Sequence, residues 1–309
     1  MIACPTTLIL GAGSSQHYGF PSARGLKSDI CEQFSDKDSP AIKLLTGTPG
    51  SDFKEYDFVT FANALRHSGQ MSADAFLERN PTYIEIGKIA IAYCLLQYEK
   101  EDDLFPARSD HHLYEYIFAR LGADIDAFRR NQLSIITFNY DRSLEHFVET
   151  ALWNSNYTTT TREQTQEAIN ALPILHVYGQ LALLPWQVRN PARDLARSYR
   201  PNVAYADIMR AARTIKIISE RKDRDLHNDP DFLRAWELID RAERLCFLGF
   251  GYHETNLDRL KIDNSKGRWE IYGTSLNLPD SEKKRIRNAV HLIELQSLDC
   301  LAMLQRLGL

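Results

Sequence analysis

The chain is poor in the features that mark specialised protein classes. Its 309 residues hold five cysteines, Cys4, Cys31, Cys94, Cys246 and Cys300, scattered over the whole length with no C-x-x-C pair. That distribution argues against a disulfide scaffold and against a four-cysteine zinc knuckle. No run of 18 apolar residues occurs, so no segment is expected to span a membrane. An excess of one charge is missing too. The 37 basic side chains stand against 41 acidic ones, a formal net charge of −4, which gives no global attraction to nucleic acid or to an anionic membrane. The apolar stretch 2–12 lacks a basic leader and contains Pro5; it reads as a buried strand, not as a signal peptide. No internal repeat and no low-complexity segment is visible. With 44% apolar and 25% charged residues, the expectation is a reduced, cytoplasmic, globular protein.

Six short runs rich in Ile, Leu, Val and Phe read as strands: 6–10, 134–138, 173–178, 244–250, 268–272 and 290–295. Their near-continuous hydrophobicity is what parallel strands covered on both faces require. Helix signals lie between them. Asn80-Pro81 and Asp229-Pro230 each place a capping side chain before a proline at the first helical position. Leu144, Phe147, Val148 and Ala151 form one apolar stripe at helical spacing. The alternation predicts an α/β fold, a Rossmann-like doubly wound parallel sheet. Residues 11–133 separate the first two strands, far more than one crossover helix needs. Within them 57–66, 81–98 and 112–129 read as helices. A helical insertion of about 27–130 between the first and second strands is therefore expected inside a single 1–309 domain, with 37–54 as its loop.

Gly11-Ala12-Gly13-Ser14-Ser15 follows the first strand directly. Glycines there let backbone N–H groups approach a pyrophosphate, and a helix N-terminus adds favourable partial charge. The dehydrogenase fingerprint G-x-G-x-x-G fails, because its sixth position is Gln16, and Glu32 falls in a stretch, 28–34, that reads as helix. A hydride-transfer domain is thus the poorer reading, and a tight turn without ligand is the plain alternative.

Four motifs together carry a resemblance. The segment 11–26, GAGSSQHYGFPSARGL, resembles the sirtuin signature GAG-x-S-x-x-x-G-I-P-D-F-R-G, with Gly19-Phe20-Pro21 and Arg24-Gly25 in register. Thr137-Phe138-Asn139-Tyr140-Asp141 is similar to the sirtuin T-Q-N-I-D. Leu175-His176-Val177-Tyr178-Gly179 resembles the strand end that carries the catalytic histidine, and Leu248-Gly249-Phe250-Gly251-Tyr252 stands where sirtuins have a G-T-S turn. Two parts of the deacylases are absent: the zinc module, and the acid-aromatic pair before the arginine, which is Ser22-Ala23 here. The pattern is closer to the sirtuin-like NAD hydrolases of bacterial anti-phage defence, which lack the zinc module, carry helical insertions and use an Asn and a His.

What the resemblance implies is NAD as substrate and no metal. The pyrophosphate would lie on Gly11, Ala12, Gly13, Ser14 and Ser15, and the nicotinamide ribose between the catalytic Asn139 and His176. Arg24, Asp141, Tyr178, Gly249, Gly251 and Asn256 would surround the rest. It also implies NAD depletion as the outcome, a homo-oligomer, and a partner ATPase or nucleic-acid-sensing subunit. Two other functions stand beside cleavage of NAD to nicotinamide and ADP-ribose: a catalytically silent NAD or ADP-ribose sensor, and an NAD-dependent protein deacylase.

Several roles stay open at this point. Alignment to Gly179 puts Tyr178 at the histidine position, whereas proton chemistry favours His176, because a phenol with a pKa near 10 stays protonated at neutral pH. On one continuous strand the two side chains would share a face about 6.6 Å apart. Asp141 would orient a loop or a ribose, or act as an acid. Arg24 would meet a phosphate or a carboxylate, and Asn256 would touch the adenosine half or cap the following helix. His111-His112 and His253-Glu254 lack a third ligand at metal spacing. Residues 189–224 hold ten Lys or Arg and four Asp or Glu, a solvated face or a surface for nucleic acid or an acidic partner.

Overall fold

Six apolar runs become the strands β1 (Thr6–Leu10), β2 (Leu133–Thr137), β3 (Ile174–His176), β4 (Arg244–Leu248), β5 (Glu270–Thr274) and β6 (Ile293–Gln296) in a computed structural model that describes residues 1–107, 113–188, 195–217, 229–265 and 267–309. All pairings are parallel and the order is β3-β2-β1-β4-β5-β6, the order of Rossmann-like doubly wound sheets. The sheet centre is dry. Leu8, Ile9, Ile135, Ile136, Leu245, Cys246 and Phe247 are at most 2% exposed, as strands between two helical layers must be. Thr7 is buried there as well, with its hydroxyl 2.8 Å from that of Ser134 and 3.2 Å from the Leu238 carbonyl, so no polar atom of that side chain is left unpaired.

Between β1 and β2 the described residues form eight helices: α1 (Ala23–Gln33), α2 (Pro40–Gly47), α3 (Glu55–His67), α4 (Ala73–Arg79), α5 (Ile84–Leu96), α6 (Glu101–Leu104), α7 (Leu113–Leu121) and α8 (Ile125–Arg129). Then come α9 (Ser143–Asn156), α10 (Arg162–Ile169), α11 (Tyr205–Thr214), α12 (Pro230–Arg241), α13 (Glu254–Leu260), α14 (Asp280–Ala289) and α15 (Cys300–Leu307). Asp229 caps α12 by accepting from the amides of Asp231 and Phe232 at 3.0 and 3.2 Å. Leu144, Phe147 and Val148 are the buried face of α9.

Some expectations fail for identifiable reasons. The supposed loop 37–54 contains α2, because Ser39 caps it by accepting from the Ile42 amide at 3.3 Å and Pro40 occupies the first turn. The proline read as a breaker is a helix start. The helix expected over 112–129 is two, parted at Gly122 with φ +83° and restarted by Asp124, which accepts from the Ala127 amide at 2.8 Å. Asn80 does not cap; its amide donates back to the Phe76 carbonyl at 2.8 Å. β3 stops at His176, two residues short of the expected end, and β4 stops at Leu248.

A buried ion network ties the helical segment to the end of β2. Arg142, the residue before α9, donates to both oxygens of Glu99 at 2.9 and 2.8 Å, and Arg197 donates to the same carboxylate. All three side chains are fully buried. Asp207 draws in Arg197, Arg200 and Arg210 at 3.9, 3.6 and 3.0 Å. Four basic side chains of the 189–224 run, Lys216 with Asp231 among them, are thus engaged in internal ion pairs. The remainder of that run at 189–194 and 218–224, like His111-His112, lies outside the described residues.

Candidate functional site

β1, β2 and β4 end side by side, with Leu10 paired to both Thr137 and Leu248. The loops that leave these ends enclose a cleft of about 530 Å³. It stands at the carboxyl edge of the sheet, where the strand order reverses between β1 and β4, the place at which open α/β sheets bind ligands. Of the thirteen residues expected from sequence, eleven line this cleft: Gly11, Ala12, Gly13, Ser15, Arg24, Asn139, Asp141, Tyr178, Gly249, Gly251 and Asn256. Ser14 and His176 do not.

The glycine turn is first of all a fit between two backbones. A Cβ on Gly13 would stand 2.7 Å from the Gly249 Cα, and one on Gly11 would stand 2.7 Å from the Gly249 carbonyl oxygen. Gly249 has φ +58°, and its own Cβ would meet the Ser14 amide nitrogen at 2.2 Å. Four of the five amides in the turn already donate to backbone carbonyls, Gly13 to Gly249 and Gly11 to Leu248 among them. A pyrophosphate therefore finds few free donors in the turn itself. Cationic and helix-end donors lie next to it. Ser22 caps the eleven-residue α1 by accepting from the Gly25 amide at 3.1 Å, and Ser22, Ala23 and the exposed Arg24 all line the cleft. Among the described residues Arg24 meets no carboxylate; its guanidinium lies 3.5 Å from the Met71 sulfur.

Asn139 is locked by its amide nitrogen, which donates to the Gly11 carbonyl at 3.0 Å and to the Ser14 and Ser15 hydroxyls at 3.3 and 3.1 Å. A carbonyl can only accept, so Nδ2 must face the turn. Oδ1 is left as the atom that can accept from a ligand. Asp141, at the cleft floor, takes the Ser143 amide at 3.3 Å and the Ser143 hydroxyl. Burial pushes its carboxyl up from the ordinary range. Hydrogen bonds from Ser143 and Ser15 pull the other way, the Glu145 charge adds to the rise and His176 opposes it.

Tyr178 reaches the cleft because the chain turns immediately after β3. Its hydroxyl donates to the Asn256 Oδ1 at 2.9 Å and accepts from Arg259 at 2.8 Å. Asn256 stands inside α13 and so does not cap it. Phe138 and Phe250, in edge contact with ring centroids 5.0 Å apart, form an aromatic wall with Tyr178.

A further part of the lining comes from α4, which sequence reasoning missed: Asp74 and Glu78 border the cleft, and Tyr140 donates to Asp74 at 2.5 Å. Burial raises the Asp74 carboxyl against the lowering effect of that bond. Nothing local marks α4 as part of a site, although Tyr140 sits inside the Asn139 motif. His253, read only as half of a metal pair, also lines the cleft. Among the described residues no group of three or more His, Cys, Asp or Glu could hold a metal ion.

His176 points beneath the floor. Its Nδ1 lies 2.8 Å from the Asn139 carbonyl oxygen and its Nε2 2.5 Å from the Glu145 carboxylate. It shares a small internal cavity with Ser15, Tyr114, Asp141 and Glu145. Both ring nitrogens are thus occupied on the side away from the cleft.

No protein-family model matches this chain, and no curated protein matches it significantly, so the likeness to sirtuin-like enzymes rests on the four motifs.

Proposed function

We propose that the protein cleaves NAD to nicotinamide and ADP-ribose in this cleft. The observation that carries the reading is the convergence of ten motif residues, drawn from four distant parts of the chain, and of Asn256 on one cavity at the strand-order reversal. The charges support it. Breaking the bond between nicotinamide and ribose builds positive charge on the ribose, and Asp74, Glu78 and Asp141 line the cleft with carboxyl oxygens whose polarity favours such charge. Arg24 and the N-terminal end of α1 suit the pyrophosphate. Asn139 Oδ1 suits a ribose hydroxyl or the attacking water. That water adds to C1 as nicotinamide departs, and its proton leaves to solvent or to a carboxylate. The proposal extends to depletion of cellular NAD as the outcome, set in a homo-oligomer with an ATPase or a nucleic-acid sensor as trigger.

One observation favours a second reading, a silent NAD or ADP-ribose sensor: His176 has both nitrogens bonded below the floor. Incubating purified protein with NAD, alone and with nucleic acid or cell lysate, separates the two. Equal amounts of nicotinamide and ADP-ribose support hydrolysis, and binding without release supports the sensor. Absence of nucleotide binding overturns both.

A further inference from the structure

Beneath the cleft lies a polar cluster that the proposed reaction does not use. Glu145, in the first turn of α9, and His176, at the end of β3, are 2% and 8% exposed and in direct contact. The ring's other nitrogen meets the backbone carbonyl of Asn139, whose side chain clasps the Gly11 carbonyl and two serine hydroxyls. Glu145, His176, Asn139 and the glycine turn thus form one continuous chain of contacts from a buried carboxylate to the cleft. A carbonyl oxygen only accepts, so Nδ1 donates to Asn139; with Glu145 ionised, and so an acceptor too, the ring carries protons on both nitrogens. A doubly protonated ring cannot accept a proton.

We infer that His176 is a positioning residue, an imidazolium held by Glu145 that fixes the Asn139 backbone and thereby aims the Asn139 side chain into the cleft. Its part in turnover rests on the NAD-cleaving reading; its hold on Asn139 does not. The titratable groups around the ring are Glu145 of α9, Asp141 of the loop before it and Tyr114 of α7. Burial works to lower the imidazole pKa. The Glu145 charge, the bonds to Glu145 and to the Asn139 carbonyl, and the Asp141 charge outweigh it, and the net shift is upward. Burial drives Tyr114 upward as well, so it stays neutral. Burial raises the Asp141 carboxyl too, against the hydrogen bonds from Ser143 and Ser15.

The sign follows. A histidine whose folded pKa exceeds its unfolded value of about 6.5 contributes stability that is fully present below that value. The contribution is lost as pH rises through the folded pKa. Positioning by the cation should follow the same course, with turnover falling on the alkaline side. A general base would do the reverse and lose activity as acid protonates it.

The test compares the unmodified protein with His176→Ala and with the double variant His176→Asn/Glu145→Gln. Asparagine places a donor close to where Nδ1 stood and cannot titrate, and glutamine removes the carboxylate that would be left buried without its partner. The expected results are a loss of about 100-fold in nicotinamide release for His176→Ala, the lower end of the range for a positioned group, and recovery to within about tenfold of the unmodified rate in the double variant, with its alkaline limb gone. A double variant that melts normally and binds ADP-ribose normally, yet is as inactive as His176→Ala, would overturn the inference and return His176 to the chemistry. A second measurement needs no activity. With ¹⁵N-labelled histidine and asparagine, both His176 ring nitrogens should be protonated at pH 7, and the Asn139 side-chain amide resonances should move with the imidazole titration. A neutral ring at pH 7, or Asn139 signals indifferent to it, refutes the positioning role even if the protein cleaves nothing. Absence of nicotinamide with the coupling intact refutes only the proposed reaction.

Discussion

Gly13→Ala is the sharpest probe of why the glycine turn has this sequence. The added methyl would stand 2.7 Å from the Gly249 Cα and 2.9 Å from its carbonyl oxygen. Both are backbone atoms, pinned by the Gly13 to Gly249 and Gly11 to Leu248 hydrogen bonds of 2.9 and 3.1 Å, so neither can rotate away as a side chain would. Ordinary contact needs an opening of roughly 1 Å. Forcing atoms into a packed site costs about 1–3 kcal/mol, and the junction of the two central strands places this case in the upper half. Gly249→Ala should be worse. Its methyl would meet the Ser14 nitrogen at 2.2 Å, and the +58° φ adds about 1–2 kcal/mol. At about 2.1 cal/mol/K of unfolding entropy per residue, a chain of 309 residues loses about 1.5 °C per kcal/mol. Calorimetry on ligand-free protein should therefore show Tm lower by about 3–5 °C for Gly13→Ala and about 5–8 °C for Gly249→Ala. Gly251→Ala, with nothing within 4 Å of its Cβ and no positive φ, is the control and should stay within about 1 °C. If Gly13→Ala melts like Gly251→Ala and loses only ADP-ribose affinity, the glycine is there for the ligand and the packing account is refuted.

Asn139→Ala removes three donor contacts of 3.0 to 3.3 Å; nicotinamide release should fall at least about 100-fold while Tm falls a few degrees, and full activity would move the ribose away from Asn139. Arg24→Ala should weaken ADP-ribose binding about tenfold at low ionic strength, the worth of one charge-assisted hydrogen bond, with the difference shrinking as salt is added; an unchanged Kd would place the pyrophosphate elsewhere. Glu99→Gln leaves the fully buried Arg142, otherwise bonded to it at 2.8 and 2.9 Å, without its counter-charge. Chemical denaturation should report a loss of about 3–5 kcal/mol, and a loss below about 1 kcal/mol would mean the network does not hold the helical segment to the sheet.

The sheet was legible because its signal is collective. The central strands β1, β2 and β4 are almost wholly buried runs, as parallel strands covered on both faces must be, and the partly exposed β3, β5 and β6 still carry alternating or short apolar stretches. Boundaries were less so. Ser39-Pro40 carries a cap and a first-turn proline, the same grammar correctly read at Asp229-Pro230, yet the surrounding prolines and glycines made 37–54 look like a loop. The break at Gly122 was equally readable, since a glycine at φ +83° followed by the capping Asp124 is a stop and a restart.

The lining of the candidate site was legible where one stretch of chain both meets a fold constraint and borders the cleft. Gly11, Gly13 and Gly249 are needed for backbone approach at the sheet edge, and the same residues line the cleft. Asn139 ties the turn in place with one end of its amide and offers the other to a ligand. The shared face expected for His176 and Tyr178 is not realised, because the alternation argument assumes a continuous strand, whereas β3, an edge strand paired through three residues, ends at His176. The turn that follows is fixed from outside. Gly179 has φ +73°, and its Cβ would lie 1.9 Å from the Thr214 carbonyl at the end of α11, a contact 35 residues away in the chain that no local pattern announces. That docking rotates Tyr178 into the cleft and leaves His176 facing Glu145. The two chemistries argued from sequence, a histidine able to accept a proton and a tyrosine aligned with the motif, are therefore separated by a single turn. Because that turn is set by α11 while the imidazole's charge is set by α9, the role of His176 follows from tertiary contacts, not from its place in the motif.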